Sequence, residues 1–237
     1  MALLTVPIAD LEAVTPRSRL ITLDLQGATF AFEPGQAVMV GAHGQGDRRP
    51  FSIASSPERT AETGRLELLV AIEADGSLGA SFGDAAGGTR LDVEGPMGTF
   101  TLPADAGAAW VLFVAGGTGI APLRSMLDHL LRRLAAHRIS LLYSARRADE
   151  FAFIKELEAH ASAGVLELHQ TVTRDDSANW TGRRGRIGRA HFEAVLHEPA
   201  STLCFVCGPE ALVDESVATL AALGVPGPRI RTESWGR

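Results

Sequence analysis

The segment Val114-Ala115-Gly116-Gly117-Thr118-Gly119-Ile120-Ala121-Pro122 lies between two patterns of opposite character. Before it runs an apolar stretch, Trp110-Val111-Leu112-Phe113, suited to a buried strand. After it, Leu123, Met126, Leu127, Leu130, Leu131 and Leu134 recur at helical spacing, while Arg124, Asp128, Arg132 and Arg133 fall on the other side. The glycines therefore stand at a turn from strand into helix. Glycine lets backbone approach an anion closely, and the first N–H groups of a helix point at it. Pro122 suits the first helical turn, where its missing N–H costs nothing. It also takes the place of the third glycine of the usual dinucleotide fingerprint, so the pattern departs from that fingerprint. Taken alone, the segment also reads as an ordinary strand-to-helix turn.

The chain changes character near residue 103. Before it, β-rich runs at 20–25, 37–40, 66–70 and 89–93 are separated by Glu33-Pro34-Gly35, the polar stretch 41–47 and Gly87-Gly88. Short strands with such punctuation predict an antiparallel sandwich or barrel. After Leu102-Pro103-Ala104-Asp105, strands at 111–115, 139–143, 165–172 and 203–207 alternate with helices after Pro122, around 150–160, at 189–196 and at 210–223. That alternation predicts a parallel sheet with helices on both faces. The expected domains are therefore 1–103 and 104–237. The 237 residues suffice for two small cores.

Composition narrows the function. The net charge of -6 argues against nucleic-acid binding. No apolar run approaches the roughly 20 residues of a membrane span, and Met1-Ala2-Leu3-Leu4-Thr5-Val6-Pro7 lacks the features of a secretory signal. Two cysteines, Cys204 and Cys207, fit a reducing cytoplasm and are too few for a four-cysteine iron–sulfur cluster. They fall in an apolar strand, with side chains on opposite faces, which argues against a zinc or disulfide pair.

The first half has a signal of its own, Arg48-Arg49-Pro50-Phe51-Ser52-Ile53-Ala54-Ser55-Ser56-Pro57. On a strand, Arg49, Phe51 and Ile53 share one face, and Pro50, Ser52 and Ala54 share the other. Arginine suits a pyrophosphate, an aromatic ring can flank a flat heterocycle, and a serine can bond its edge. A plain strand after a loop is the alternative. Asp75-Gly76-Ser77-Leu78-Gly79-Ala80-Ser81-Phe82 offers backbone N–H groups and a serine hydroxyl to a phosphate, or is a solvent loop.

In order, Arg49-Pro50-Phe51-Ser52, Gly95-Pro96-Met97-Gly98-Thr99-Phe100, Gly116-Gly117-Thr118-Gly119-Ile120-Ala121-Pro122, Cys207-Gly208-Pro209 and Glu233-Ser234-Trp235 resemble the ferredoxin–NADP⁺ reductase superfamily over essentially the whole chain. The resemblance implies a flavin-binding antiparallel barrel followed by a nicotinamide-nucleotide domain. It implies that Arg49, Pro50, Phe51 and Ser52 contact FAD, and that the stretch from Gly76 to Ser81 supplies its phosphate site, through Ser77 or Ser81. It implies that Gly116, Gly117, Thr118, Gly119 and Pro122 hold the nucleotide's pyrophosphate side. Cys207, Gly208, Pro209 and Glu233 are then expected near the nicotinamide and the flavin, with Ser52, Cys207 and Glu233 at the reacting centre. Phe51 departs from the tyrosine of many members.

Hydride transfer requires the nicotinamide close to the flavin in a dry slot, here expected between the domains. Arg146 and Arg174 follow the second and third strands of the nucleotide domain, where an arginine can pair with a 2′-phosphate. They favour NADPH over NADH, and a solvated basic face is the alternative. Trp235 is expected either against the flavin ring or closing the domain interface. The expected enzyme takes electrons from a nicotinamide nucleotide onto FAD and passes them to a ferredoxin-like iron–sulfur protein or an oxygenase component. A free-flavin or ferric reductase, and a non-catalytic flavoprotein subunit or sensor, are the alternatives.

Overall fold

The computed structural model describes residues 2–72, 78, 82, 85–103, 110–133 and 138–235. It divides into two compact units, Met1–Leu102 with Arg124–His129, and Pro103–Leu123 with Leu130–Arg237.

In the first unit, β1 (Ala2–Thr15), β2 (Ser18–Asp24), β3 (Ala37–Ala42), β4 (Arg49–Ser52), β5 (Arg65–Ala71) and β6 (Arg90–Met97) form one antiparallel sheet. Their order is β4-β3-β6-β1-β2-β5. Just past β4, Ile53 bridges to Leu68 of β5, so the two edges meet and the sheet closes on itself. Alternation fills the interior: Ile21, Leu23, Val38, Val40, Leu91 and Val93 are fully buried on one core. The sequence reading overlooked β1. Pro7, which cannot donate to a ladder, interrupts its pattern. The structure places Pro7 where β1 stops pairing with β6 (Pro7 opposite Arg90) and starts pairing with β2 (Ile8 opposite Leu23).

A short helix, α1 (Pro57–Thr63), also escaped that reading. Ser56 caps it by accepting from the Arg59 N–H at 3.1 Å, and Pro57 opens its first turn. Within the same unit, Arg124 is nearly buried (4% exposed). It donates to the Ala54 carbonyl at 3.0 Å and to Glu67 Oε2 at 2.6 Å. Ser125 Oγ donates to the Ser55 carbonyl at 2.7 Å, and Ser56 Oγ to Asp128 Oδ2 at 2.5 Å. Charges set apart from the apolar stripe of the helix are therefore partly inward-facing and paired.

In the second unit, β7 (Val111–Gly116), β8 (Ile139–Ala145), β9 (Glu167–Val172), β10 (Arg183–Arg184), β11 (Leu203–Pro209) and β12 (Ile230–Trp235) form a parallel sheet ordered β10-β9-β8-β7-β11-β12. The helices are α2 (Ile120–Arg133), whose residues 124–129 belong to the first unit, α3 (Ile154–Ser162), α4 (Arg189–Val195) and α5 (Glu210–Ala222). All six positions of β7 are buried, as a central parallel strand requires. β9 starts at Glu167 rather than 165, because Val165 belongs to the turn that follows α3 and bonds back to the His160 carbonyl. The two-residue β10 is too short to show a period. Among the described residues, no helix is long and apolar enough to cross a membrane.

Candidate functional site

β7 and β11 are neighbours, with Cys207 opposite Ala115, so the turn after β7 and the end of β11 reach the same carboxyl edge. Gly117–Gly119 form a single 3-10 turn that leads directly into α2. Gly117 has φ +55°, a left-handed conformation open to glycine. A Cβ on Gly119 would collide with the Cys207 carbonyl, so only glycine lets the turn lie against β11. Pro122 stands in the first turn of α2, as expected. The Ile120 N–H closes this turn on the Gly117 carbonyl, and a tight, glycine-rich turn at the start of a helix fits a dinucleotide pyrophosphate.

β12 lies beside β11 and sets Glu233 opposite Cys207, Ser234 opposite Gly208 and Trp235 opposite Pro209. The Cys207 thiol donates to Glu233 Oε2 at 3.8 Å. Burial first, and the adjacent carboxylate second, push the Cys207 thiol well above its ordinary range. It is a neutral, compact wall rather than a nucleophile. Cys204 is also buried, three positions earlier and so on the opposite face, with its thiol pushed up to about 12 by burial.

Arg146 and Arg174 are exposed at the ends of β8 and β9, and the Arg174 N–H donates to the Arg146 carbonyl at 2.8 Å. The structure thus brings these two segments together. Asp175, which sequence reasoning missed, ties them further by accepting from the N–H groups of Ala148 and Ser177, both at 2.9 Å. Those bonds, led by the one from Ala148, hold its carboxyl near 2. An acidic residue next to an arginine, followed by a serine two places on, was the available signal.

On the edge strand β4, Arg49 and Pro50 are exposed, and Phe51 and Ser52 are half-buried. Phe51 packs against Phe82, ring centroids 5.0 Å apart. The neighbouring Arg48 is used internally, 3.0 Å from Glu94. An exposed guanidinium two residues from an aromatic ring fits a flavin dinucleotide. Gly76, Ser77 and Ser81 lie outside the described residues.

Residues 5–102 match the oxidoreductase FAD-binding domain, and residues 113–217 match the oxidoreductase NAD-binding domain. Ferredoxin–NADP reductase B of Sorangium cellulosum (strain So ce56) is 34% identical over 243 residues, covering 96% of each chain. The chain belongs to the ferredoxin–NADP⁺ reductase superfamily. The reductase component of propane 2-monooxygenase from Mycolicibacterium smegmatis is 27% identical over 97% of this chain and 69% of its own. The crystal structure of Amycolatopsis cytochrome P450 reductase GcoB superposes with a TM-score of 0.86 at 26% identity, covering 98% of this chain and 69% of that one. As a superfamily member, the protein is an NAD(P)H-dependent flavin oxidoreductase, with FAD and a nicotinamide nucleotide as cofactors. Arg49–Ser52 fall inside the FAD-binding match, and Gly116–Gly119 and Cys207 inside the NAD-binding match; Glu233 and Trp235 lie beyond it.

Proposed function

We propose that the protein moves reducing equivalents from NADPH through bound FAD to a ferredoxin-like iron–sulfur protein or an oxygenase component. The observation that carries this is the convergence of the Gly116–Gly119 turn, Cys207 and Glu233 on one sheet edge. It gives a pyrophosphate cradle beside a small buried thiol and a carboxylate. When bound, FAD accepts hydride from the nicotinamide and releases electrons singly. In this reading, residues 1–103 hold the flavin, with Arg49 on its pyrophosphate, Phe51 flanking it and Ser52 bonding its edge. Residues 104–237 hold the nucleotide. Gly208 and Pro209 extend the cradle. Cys207 shapes the nicotinamide position and excludes water, and Glu233 bonds its edge. Arg146 and Arg174 pair with a 2′-phosphate, since arginine offers paired donors matched to phosphate oxygens. Two free, buried thiols support a reducing, cytoplasmic setting. Support for the acceptor comes from the relatives, a ferredoxin–NADP reductase and a monooxygenase reductase component.

The test is an acceptor panel run with NADPH and with NADH on the yellow, FAD-loaded protein. Turnover should be fastest with a small iron–sulfur protein, with a lower KM for NADPH. Faster turnover of free flavin or ferric chelate would replace the acceptor in this reading. A protein whose FAD is not bleached by either nucleotide would remove the enzyme altogether.

A further inference from the structure

Tyr143 on β8 is completely buried (0% exposed). A phenol in such a place needs partners for its hydroxyl. The hydroxyl donates to the Gly117 carbonyl at 3.1 Å and accepts from the Ala152 N–H at 3.1 Å. Its ring meets Phe151 edge-on at 5.0 Å, and Phe151 stacks on Trp180 at 5.6 Å. One end of this bonded pair is thus the left-handed residue of the glycine turn. The other is the residue just before Phe153, which is itself left-handed at φ +58°.

The peptide plane turns this contact into an orientation. In a planar trans peptide the C=O and the following N–H point in opposite directions. The Gly117 carbonyl accepts from both the Ile120 N–H of the 3-10 turn and the Tyr143 hydroxyl, so the hydroxyl is its second hold, and the Thr118 N–H is aimed the other way. Gly117 and Thr118 are both half-exposed, in keeping with that direction. We propose that Tyr143 is a positioning residue for nucleotide binding, its hydroxyl holding the Gly117–Thr118 peptide so that the Thr118 N–H faces the pyrophosphate. The inference rests on the reading of the Gly116–Gly119 turn as the pyrophosphate cradle. Burial raises the phenol's pKa far above its usual value, so the hydroxyl keeps its proton and donates throughout the working pH range.

The test is Tyr143→Phe in the FAD-loaded protein, which keeps the ring packing and deletes only the hydroxyl. KM for NADPH should rise about five-fold, the effect of losing the one hydrogen bond from Tyr143 to the Gly117 carbonyl. The kcat at saturating NADPH and the FAD content should stay near wild type, while the thermal midpoint falls modestly because the buried Ala152 N–H loses its acceptor. An unchanged KM overturns the inference, as does a parallel fall in kcat, FAD content and midpoint, which marks a merely structural residue. Gly117→Ala disturbs the same peptide from its other side. The double variant should therefore raise KM by less than the product of the two single effects, and a full product overturns the inference. If the wild type oxidises neither NADPH nor NADH, the reading of the turn fails and this inference falls with it. If the wild type turns over and Tyr143→Phe matches it, the inference alone fails.

Discussion

At the scale of single residues, chemistry and packing separate cleanly. Arg48 and Arg49 are adjacent in sequence, yet Arg48 is bound to Glu94 at 3.0 Å while Arg49 stands exposed on the edge strand β4. Arg49→Ala should weaken FAD binding by about 1.5–3 kcal/mol, the scale of a hydrogen bond to a charged group. Fluorescence titration with FAD measures this, and an unchanged Kd would place Arg49 off the flavin. Cys207→Ala and Glu233→Ala should leave FAD bound and slow its reduction by saturating NADPH in stopped flow. Both side chains sit where the nicotinamide is proposed to react, so the loss belongs to the chemical step. Wild-type rates in both variants would take them out of the site. Arg49 was expected from its own chemistry beside an aromatic ring, whereas Cys207 and Glu233 were expected only through the resemblance to the superfamily. The sequence did not show Tyr143 or Asp175, whose roles come from backbone partners in other segments, Gly117 for the first and Ala148 for the second.

At the scale of elements, the helix α2 carries a use of charge that periodicity alone does not reveal. Arg124 bonds Ala54 and Glu67 within the first unit while nearly buried. Removing Arg124 takes this donor from the Ala54 carbonyl and from the half-buried Glu67 carboxylate. Arg124→Ala should therefore cost about 2 kcal/mol, the scale of hydrogen bonds from a charged group, read as a lower urea midpoint, whereas Arg186→Ala, which removes an exposed pair with Glu215, should shift it little. Equal shifts would mean that the Arg124 pair is as weak as a surface one. The long, strongly patterned elements were legible: β7, β8, β11, α2 and α5 lie within a few residues of where alternation and helical spacing put them. The elements that were not legible share physical causes. Pro7 breaks the pattern of β1 at the point where it changes partners. α1 has seven residues, too few for a period, and its cap Ser56 followed by Pro57 was the only local sign. The glycine turn could be placed by sequence, but not its contact with β11, which depends on a strand about ninety residues away.

At the scale of the whole molecule, the buried thiols set an alkaline limit on stability. The Cys204 thiol is raised from an ordinary 9.0 to about 12 in the folded chain, and Cys207 is raised as well. A raised folded pKa leaves its stability contribution intact below the unfolded value. Above about pH 9 the unfolded chain ionises first, so stability falls as pH climbs toward 12. Cys204→Ala should make the urea midpoint fall less steeply between pH 8 and pH 10 than in wild type. A parallel fall in both proteins would assign the alkaline loss to other groups. By the same logic, both thiols should resist iodoacetamide at neutral pH until the chain is unfolded.

The place of β6 in its sheet also decides when, during synthesis, the first unit can exist. β6 joins β3 to β1. Before Arg90–Met97 has been made, the other strands form two pieces, β4-β3 and β1-β2-β5, joined at their far edges by the Ile53–Leu68 bridge and the bonds of Ala54 and Ser55 to Glu67. Val38 and Val40 on one piece, and Ile21 and Leu23 on the other, would then lack much of the core that covers them. Residues 124–129 arrive later still, after the glycine turn has already been translated. Nascent chains generally fold from the N-terminus, one domain at a time. Here the unit that comes first is complete only at residue 129 of 237. Until then its apolar strands are open to chaperones or to other chains, so coming first in the sequence gives this unit no head start in folding.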